Sequence, residues 1–362
     1  MVAPHEVRNG ARSRAPGLRV ALDLGLRVAV GAGLRVAVGA GLRVVFGAGL
    51  RVAVAAGMLA ALPVVALPAS AFAAQRAPGG PAYVALGDSY SSGPLIPFPT
   101  GPPGCLRSDF NYPHLVAARL GVPLTDRTCS GARTADMWRP RELFDGETVG
   151  PQLGALGRST SLVSLTIGGN DAGFSEVLLS CLTADPDDAP CRRRYLRGGR
   201  DLLAERAARV APAVAAVLRE VRRRAPRAEV FLLDYPSLLP ARGGGCWPLL
   251  PLAAADVGYL RSVGARLNAA LAGAARAGGA HLVRWSNAAA GHDACAPSRA
   301  RWVEPLLPGR LAAPAHPNER GMRGAARALL GAIAVAGPQA ASASGAGAGA
   351  PPGAVLAPAP LP

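Results

Sequence analysis

Ser89 ends the run Tyr83-Val84-Ala85-Leu86-Gly87-Asp88-Ser89, in which an apolar stretch stops abruptly at Gly-Asp-Ser. Such a run reads as a buried strand leading into a turn, with Gly87 able to bend without a Cβ clash. A serine hydroxyl is a weak nucleophile at neutral pH. It needs a base within hydrogen-bond reach and donors for the oxyanion that develops on a substrate. A second apolar run, Leu162 to Ile167, ends in Gly168-Gly169-Asn170-Asp171, where the Asn170 amide can donate to an oxyanion. The segment Cys129-Ser130-Gly131-Ala132 offers the Gly131 N–H as another donor. Each piece taken alone is also ordinary turn chemistry.

The base must come from five histidines. His5 lies in an N-terminal leader, His114 sits in a helical pattern beside Pro113, and His281 begins a strand. His292 belongs to a Gly-His-Asp loop next to Cys295, whereas His316 stands two residues before Asn318, which can cap a helix. Composition alone leaves the choice open between His316 and His292.

The elements that must position these residues alternate between apolar runs and helical patterns from about 80 to 336, the signature of an α/β domain with a mostly parallel sheet. Strands are expected at Tyr83 to Gly87, Val122 to Thr128, Leu162 to Ile167, Glu229 to Asp234 and His281 to Trp285. Helices are expected at Tyr112 to Leu120, Asp201 to Arg224, Asp256 to Ala275 and Glu319 to Ile333. In the second of these, Leu203, Ala207, Val210, Val214, Val217 and Val221 recur at spacings of three and four. The long Pro- and Gly-rich connections, such as Pro94 to Phe110 and Ser237 to Ala255, can build a substrate pocket.

The flanks differ in kind. Residues 1–75 carry five octads of the form Gly-Leu-Arg-Val, beginning at Gly17, Gly25, Gly33, Gly41 and Gly49. A glycine in every unit makes a poor helix, and no dinucleotide fingerprint is completed, because Val36 and Val44 stand where the third glycine belongs. The apolar segment Val52 to Leu67, followed by Ala71-Phe72-Ala73, reads as a secretory signal cleaved after Ala73. Pro63 and Pro68 argue against a membrane-spanning anchor. Residues 338–362 are almost all Ala, Gly, Pro and Ser, a composition expected to stay disordered. The main domain therefore spans residues 76–337.

A formal charge of +16 invites a nucleic-acid reading, yet every basic residue is arginine, aromatics are sparse and no nucleic-acid motif is present. No histidine and carboxylate cluster has metal-ligand spacing, so neither metal nor cofactor is expected. Six cysteines follow the signal, an even count that argues for disulfides in an exported chain. Of the 15 pairings that six cysteines allow, the favoured one joins sequence neighbours. Cys105 pairs with Cys129, Cys181 with Cys191, and Cys246 with Cys295, each stapling one excursion of the chain.

Gly87-Asp88-Ser89-Tyr90, Gly131, Gly168-Gly169-Asn170-Asp171 and His316-Pro317-Asn318-x-x-Gly321, in this order, resemble the four blocks of the SGNH, or GDSL, hydrolase superfamily. With the six cysteines, the chain looks most similar to the secreted actinobacterial GDSL esterases and lipases. The resemblance implies a flavodoxin-like three-layer α/β/α sandwich with a central five-stranded sheet, and ester hydrolysis through an acyl-enzyme. It assigns Ser89 as nucleophile, His316 as base, and the Ser89 and Gly131 N–H groups with Asn170 as the oxyanion hole. It also supports the sequential disulfides.

One departure stands out. Most of the superfamily has an acid three residues before the histidine, where this chain has Ala313, and Leu311 to Ala315 contains no carboxylate. The resemblance allows a Ser-His dyad whose histidine is oriented by a main-chain carbonyl near Ala313, with Asp293 or another loop carboxylate as the side-chain alternative. The expected activity is that of a secreted serine esterase or lipase acting as a monomer on small-molecule or lipid esters, with transient contact to a lipid surface. Carbohydrate O-deacetylation and non-catalytic surface binding are the alternatives. The nucleophile elbow of a different serine-hydrolase fold is disfavoured, since Ser91 stands where its second glycine is required.

Overall fold

The computed structural model describes residues 82–344. The octads, the signal and its cleavage site, and residues 345–362 of the expected tail lie outside the described residues.

Five strands form one parallel sheet: β1 (Ala82–Gly87), β2 (Leu124–Asp126), β3 (Thr160–Thr166), β4 (Glu229–Leu233) and β5 (His281–Val283), in the order β2-β1-β3-β4-β5. The central strands are apolar runs because helices cover both of their faces. Tyr83, Val84, Ala85 and Leu86 of β1, and Val230 to Leu233 of β4, are all buried. The register pairs Val84 with Val163 and Gly87 with Thr166, so β1 and β3 end side by side. Strand order reverses around β1. That makes the crevice outside the carboxyl ends of β1 and β3 the topological switch point, where open α/β sheets bind ligands.

The helices are α1 (Ser89–Ser92), α2 (Tyr112–Leu120), α3 (Phe174–Ser180), α4 (Leu202–Arg224), α5 (Ala254–Gly278) and α6 (Glu319–Ser344), with short turns of helix at Pro190–Tyr195 and Trp285–Ala288. One layer is α4 packed on α5, and the other is α2 packed on α6. The apolar spacing read from α4 is its buried face: Leu203, Ala207, Val210, Val214, Val217 and Val221 are each at most 1% exposed. Burying a Val or Leu side chain of this kind stabilises by roughly 1.5–3 kcal/mol, far above the few tenths that propensity alone supplies. Asp201 caps the start of α4 by accepting from Ala204 N at 3.0 Å. Asn111 caps α2 through His114 N at 3.0 Å, and Gly121 closes that helix in the left-handed conformation.

Element identities agree with the sequence reading, while several ends move. β2 is only Leu124–Asp126, and α6 continues from Ile333 to Ser344, into the stretch expected to be disordered. Three short helices, at Ser89–Ser92, Phe174–Ser180 and Pro190–Tyr195, are additional to those expected from the sequence. The three disulfides join Cys105 to Cys129, Cys181 to Cys191 and Cys246 to Cys295, the pairing expected from sequence neighbours. Among the described residues no helix is long and apolar enough to cross a membrane, and no group of three or more metal-ligand side chains assembles.

Candidate active site

Strand β1 delivers Ser89 at the start of a single helical turn. Gly87 makes the bend with φ of +138°, and a Cβ there would lie 2.5 Å from Thr166 O and 2.6 Å from Ser91 Oγ. Gln152 clamps that residue from both sides, accepting from Gly87 N at 2.7 Å and donating to Gly87 O at 3.0 Å. Asp88 then caps the turn: its Oδ1 accepts from Tyr90 N at 2.9 Å, while its main-chain carbonyl accepts from Ser91 N and Ser92 N. Among the described residues Ser89 N is left with no acceptor, although it belongs to the same turn. Asp88 is buried, and that burial pushes its carboxyl up to about 7 against the hydrogen bonds from Tyr235 and Tyr90.

The Gly131 segment is tied to the same strand end by Cys129 N donating to Gly87 O at 3.0 Å. Arg141 braces it through Ser130 O and Cys129 Sγ, each at 2.8 Å. The Gly168 to Asp171 turn follows β3. Gly168 has φ of +114°, and a Cβ there would meet Val210 Cγ1 at 2.6 Å. The two turns are laced together: Asn170 Nδ2 donates to Ala132 O at 2.9 Å, and Asp171 accepts from Thr134 N and, at 2.5 Å, from Thr134 Oγ1. The first of these bonds uses one amide hydrogen of Asn170 and leaves its second for a ligand.

His316 approaches from the segment before α6. Its Nε2 lies 2.8 Å from Ser89 Oγ, and its Nδ1 lies 2.7 Å from Pro314 O. A carbonyl can only accept, so Nδ1 carries the proton and the Nε2 lone pair faces the serine hydroxyl. The orienting carbonyl is therefore that of Pro314, which corrects the expectation of Ala313. The reason is the local turn. Ala313 O is already the acceptor for His316 N at 3.1 Å, and Ala315, at φ of +60°, turns the Pro314 peptide toward the ring. Tyr90 OH holds this strained residue by donating to Ala315 O at 2.8 Å, and Glu304 N donates to His316 O at 2.9 Å. Asn318 caps α6 by accepting from Gly321 N and Arg320 N, as its sequence position suggests. The ring of His316 is half-buried against Tyr90 and Phe174, and desolvation lowers its basicity below the ordinary histidine value, opposed by the bond to Pro314.

The other candidates make no hydrogen bond to Ser89 or His316, although Asp293 lines the same cleft. His292 stacks on Trp302 with ring centroids 4.2 Å apart and bonds Ala300 O, a packing role with no bond to Ser89. Asp293 accepts from Cys295 N at 2.9 Å and makes no bond to His316. Two residues passed over in the sequence hold the site together. Tyr235 OH donates to Asp88 Oδ2 at 2.5 Å and accepts from Gly169 N at 2.8 Å, and Asn268 clamps the Tyr235 backbone at both N and O. The signal for Tyr235 was its place two residues past β4, at the same carboxyl end of the sheet as Ser89 and Asn170.

Ser89 and Asn170 stand at the head of a cleft of about 610 Å³. Its walls are mainly apolar, with Phe174, Val177, Leu203, Leu239, Leu260 and Val263 among them. That volume lies within the usual range for ligand sites.

Residues 85–323 match the model of the GDSL-like Lipase/Acylhydrolase family. The chain is 46% identical over 249 residues to Lipase 2 of Streptomyces coelicolor, covering 67% of this chain and 82% of that protein. Among solved structures it is similar to phospholipase A1 from Streptomyces albidoflavus NA297, with a TM-score of 0.58, 30% identity, and coverage of 69% of this chain and 98% of that one. The extracellular lipase of Streptomyces rimosus gives a TM-score of 0.52 at 29% identity, over 70% of this chain and 99% of its own. This chain thus belongs to the GDSL-like lipase/acylhydrolase family and is a carboxylic ester hydrolase.

Proposed function

We propose that the protein is a secreted lipase or esterase that cleaves medium- and long-chain acyl esters through an acyl-enzyme on Ser89. The observation that carries this reading is a serine 2.8 Å from an imidazole nitrogen at the head of a deep apolar cleft. Nε2 of His316 takes the hydroxyl proton as Ser89 Oγ attacks the acyl carbonyl. The Ser89 and Gly131 N–H groups and the free Asn170 N–H receive the oxyanion. The imidazolium then protonates the leaving alcohol, and a water activated by the same ring releases the acid. The Pro314 carbonyl takes the orienting part usually played by a carboxylate.

The acyl chain fits the cleft, where each buried methylene contributes about 0.8 kcal/mol. An acetyl group would leave most of that volume empty, which places carbohydrate deacetylation second. Leu95, Phe98, Leu307 and Leu311 are all more than half exposed, on two loops joined by Ala313 N donating to Pro94 O at 2.9 Å. These exposed apolar side chains, one loop of which leads into His316, form a rim suited to touching a lipid surface in this reading. Every residue of the site comes from one chain, so a monomer suffices. Export follows from the signal pattern and expected cleavage after Ala73, from three disulfides, and from similarity to a lipase described as extracellular.

The test is hydrolysis of p-nitrophenyl esters from acetate to palmitate. kcat/KM is expected to rise up to about tenfold per two methylenes until the cleft fills, and to vanish in Ser89→Ala. A preference for acetate would favour the deacetylase reading.

A further inference from the structure

We infer that Tyr235 is a positioning residue for this reaction: its hydroxyl holds the nucleophile turn and the Asn170 turn at a fixed separation. The inference rests on the hydrolase reading above and concerns how its oxyanion donors are held. The hydroxyl donates to Asp88 Oδ2 at 2.5 Å and accepts from Gly169 N at 2.8 Å, so one oxygen bridges the residue before Ser89 and the residue before Asn170. Asp88 has no freedom to answer differently, because its other oxygen is spent on Tyr90 N. Rotation of the Asp88 carboxylate would therefore swing the turn that aims Ser89 Oγ and Ser89 N.

Tyr235 is itself fixed. Asn268 of α5 accepts from its N at 3.1 Å and donates to its O at 2.8 Å, and its ring packs edge-on against Tyr90 with centroids 5.1 Å apart. The bridge is buried, and in a low-dielectric setting such a chain of bonds is stiff when complete and costly when broken. Asp88, Tyr235, Gly169 and Asn268 also line the cleft, so the bridge is part of its wall. Because the Tyr235 hydroxyl is spent on the two turns, its loss acts on donor geometry more than on substrate affinity. A misplacement of the order of 1 Å in such donors lowers turnover about 100-fold.

The experiment compares Tyr235→Phe with Tyr83→Phe on p-nitrophenyl butyrate, with active sites counted by a fluorophosphonate. Tyr83 is a fair control, since it loses a buried hydroxyl bonded to Ser164 Oγ in the same sheet without touching either turn. The expected result is a 30- to 100-fold lower kcat in Tyr235→Phe with KM within twofold of wild type, while Tyr83→Phe stays within threefold in both. A kcat within threefold of wild type in Tyr235→Phe overturns the inference, and so does an equal loss in Tyr83→Phe, which would mark a general loss of packing. Should Tyr235→Phe fail to fold, Asn268→Ala frees the Tyr235 backbone and is expected to lower kcat about tenfold at unchanged KM; unchanged kcat there overturns the inference as well. A wild type that neither hydrolyses the ester nor takes the fluorophosphonate sinks the hydrolase reading, and this inference with it.

Discussion

At the scale of single residues, the site depends on how a histidine works without a carboxylate behind it. Pro314 O fixes the tautomer of His316 but adds no negative charge to stabilise the imidazolium, while burial against Tyr90 and Phe174 favours the neutral ring. The sign follows directly. The neutral ring is the base, its pKa is lowered, and so the base survives to lower pH than an ordinary histidine would. The acid limb of kcat/KM on p-nitrophenyl butyrate is expected to have its midpoint below about 6.5. A midpoint clearly above that value that persists in Asp88→Asn, and so does not report the Asp88 carboxyl held up at about 7, would contradict a desolvated, carbonyl-oriented ring. Ser89 and Asn170 were legible as candidates because each sits where an apolar run meets a turn, but His316 was set apart from His292 only by the resemblance of the four blocks to the family. The Pro314 carbonyl was not legible. Which of several neighbouring carbonyls faces Nδ1 depends on the left-handed Ala315, and a positive φ at an alanine leaves no mark in composition.

At the scale of elements, two strand ends and the turns beyond them do the positioning. Alternation and apolar runs located β1, β3 and β4 well, since burial on both faces writes itself into the residues. The short β2 and the one-turn helix at Ser89–Ser92 were less legible, because a few residues carry too little periodicity to identify. The Cys105–Cys129 bridge joins the loop after α1 to the Gly131 segment, closing a separation of 24 residues. A loop of that size contributes about 3.5 kcal/mol in the chain-entropy account. Cys105→Ser with Cys129→Ser is expected to lower Tm by several degrees in calorimetry and to reduce kcat through the Gly131 donor. An unchanged kcat would show that this donor is held without the bridge.

At the scale of the whole molecule, the carboxyl ends of the central strands place the chemistry and residues of α4 and α5 line the apolar cleft beside it. The cleft was legible only as a set of long connections. Its apolar depth comes from Val177, Leu203, Leu239 and Val263, which lie far apart in sequence and meet only on folding. The apolar rim belongs to the same scale. Leu95 and Phe98 adopt positive φ, an unfavourable backbone for bulky side chains, and both are largely exposed. Replacing Leu95, Phe98, Leu307 and Leu311 together by serine is expected to lower activity on emulsified long-chain esters about tenfold and leave soluble p-nitrophenyl butyrate within twofold. Equal losses on both substrates would assign the rim to folding instead.

The central claim is that Ser89 is the acylated nucleophile and His316 its base. The most direct measurement is intact mass and peptide mapping after reaction with a fluorophosphonate, for the wild type and for His316→Ala. A single phosphonyl group on Ser89, formed at least 1,000-fold more slowly in His316→Ala, on the order of the loss when a triad member is removed, is the expected result. An adduct on another residue, or no adduct in an active wild type, would contradict the account.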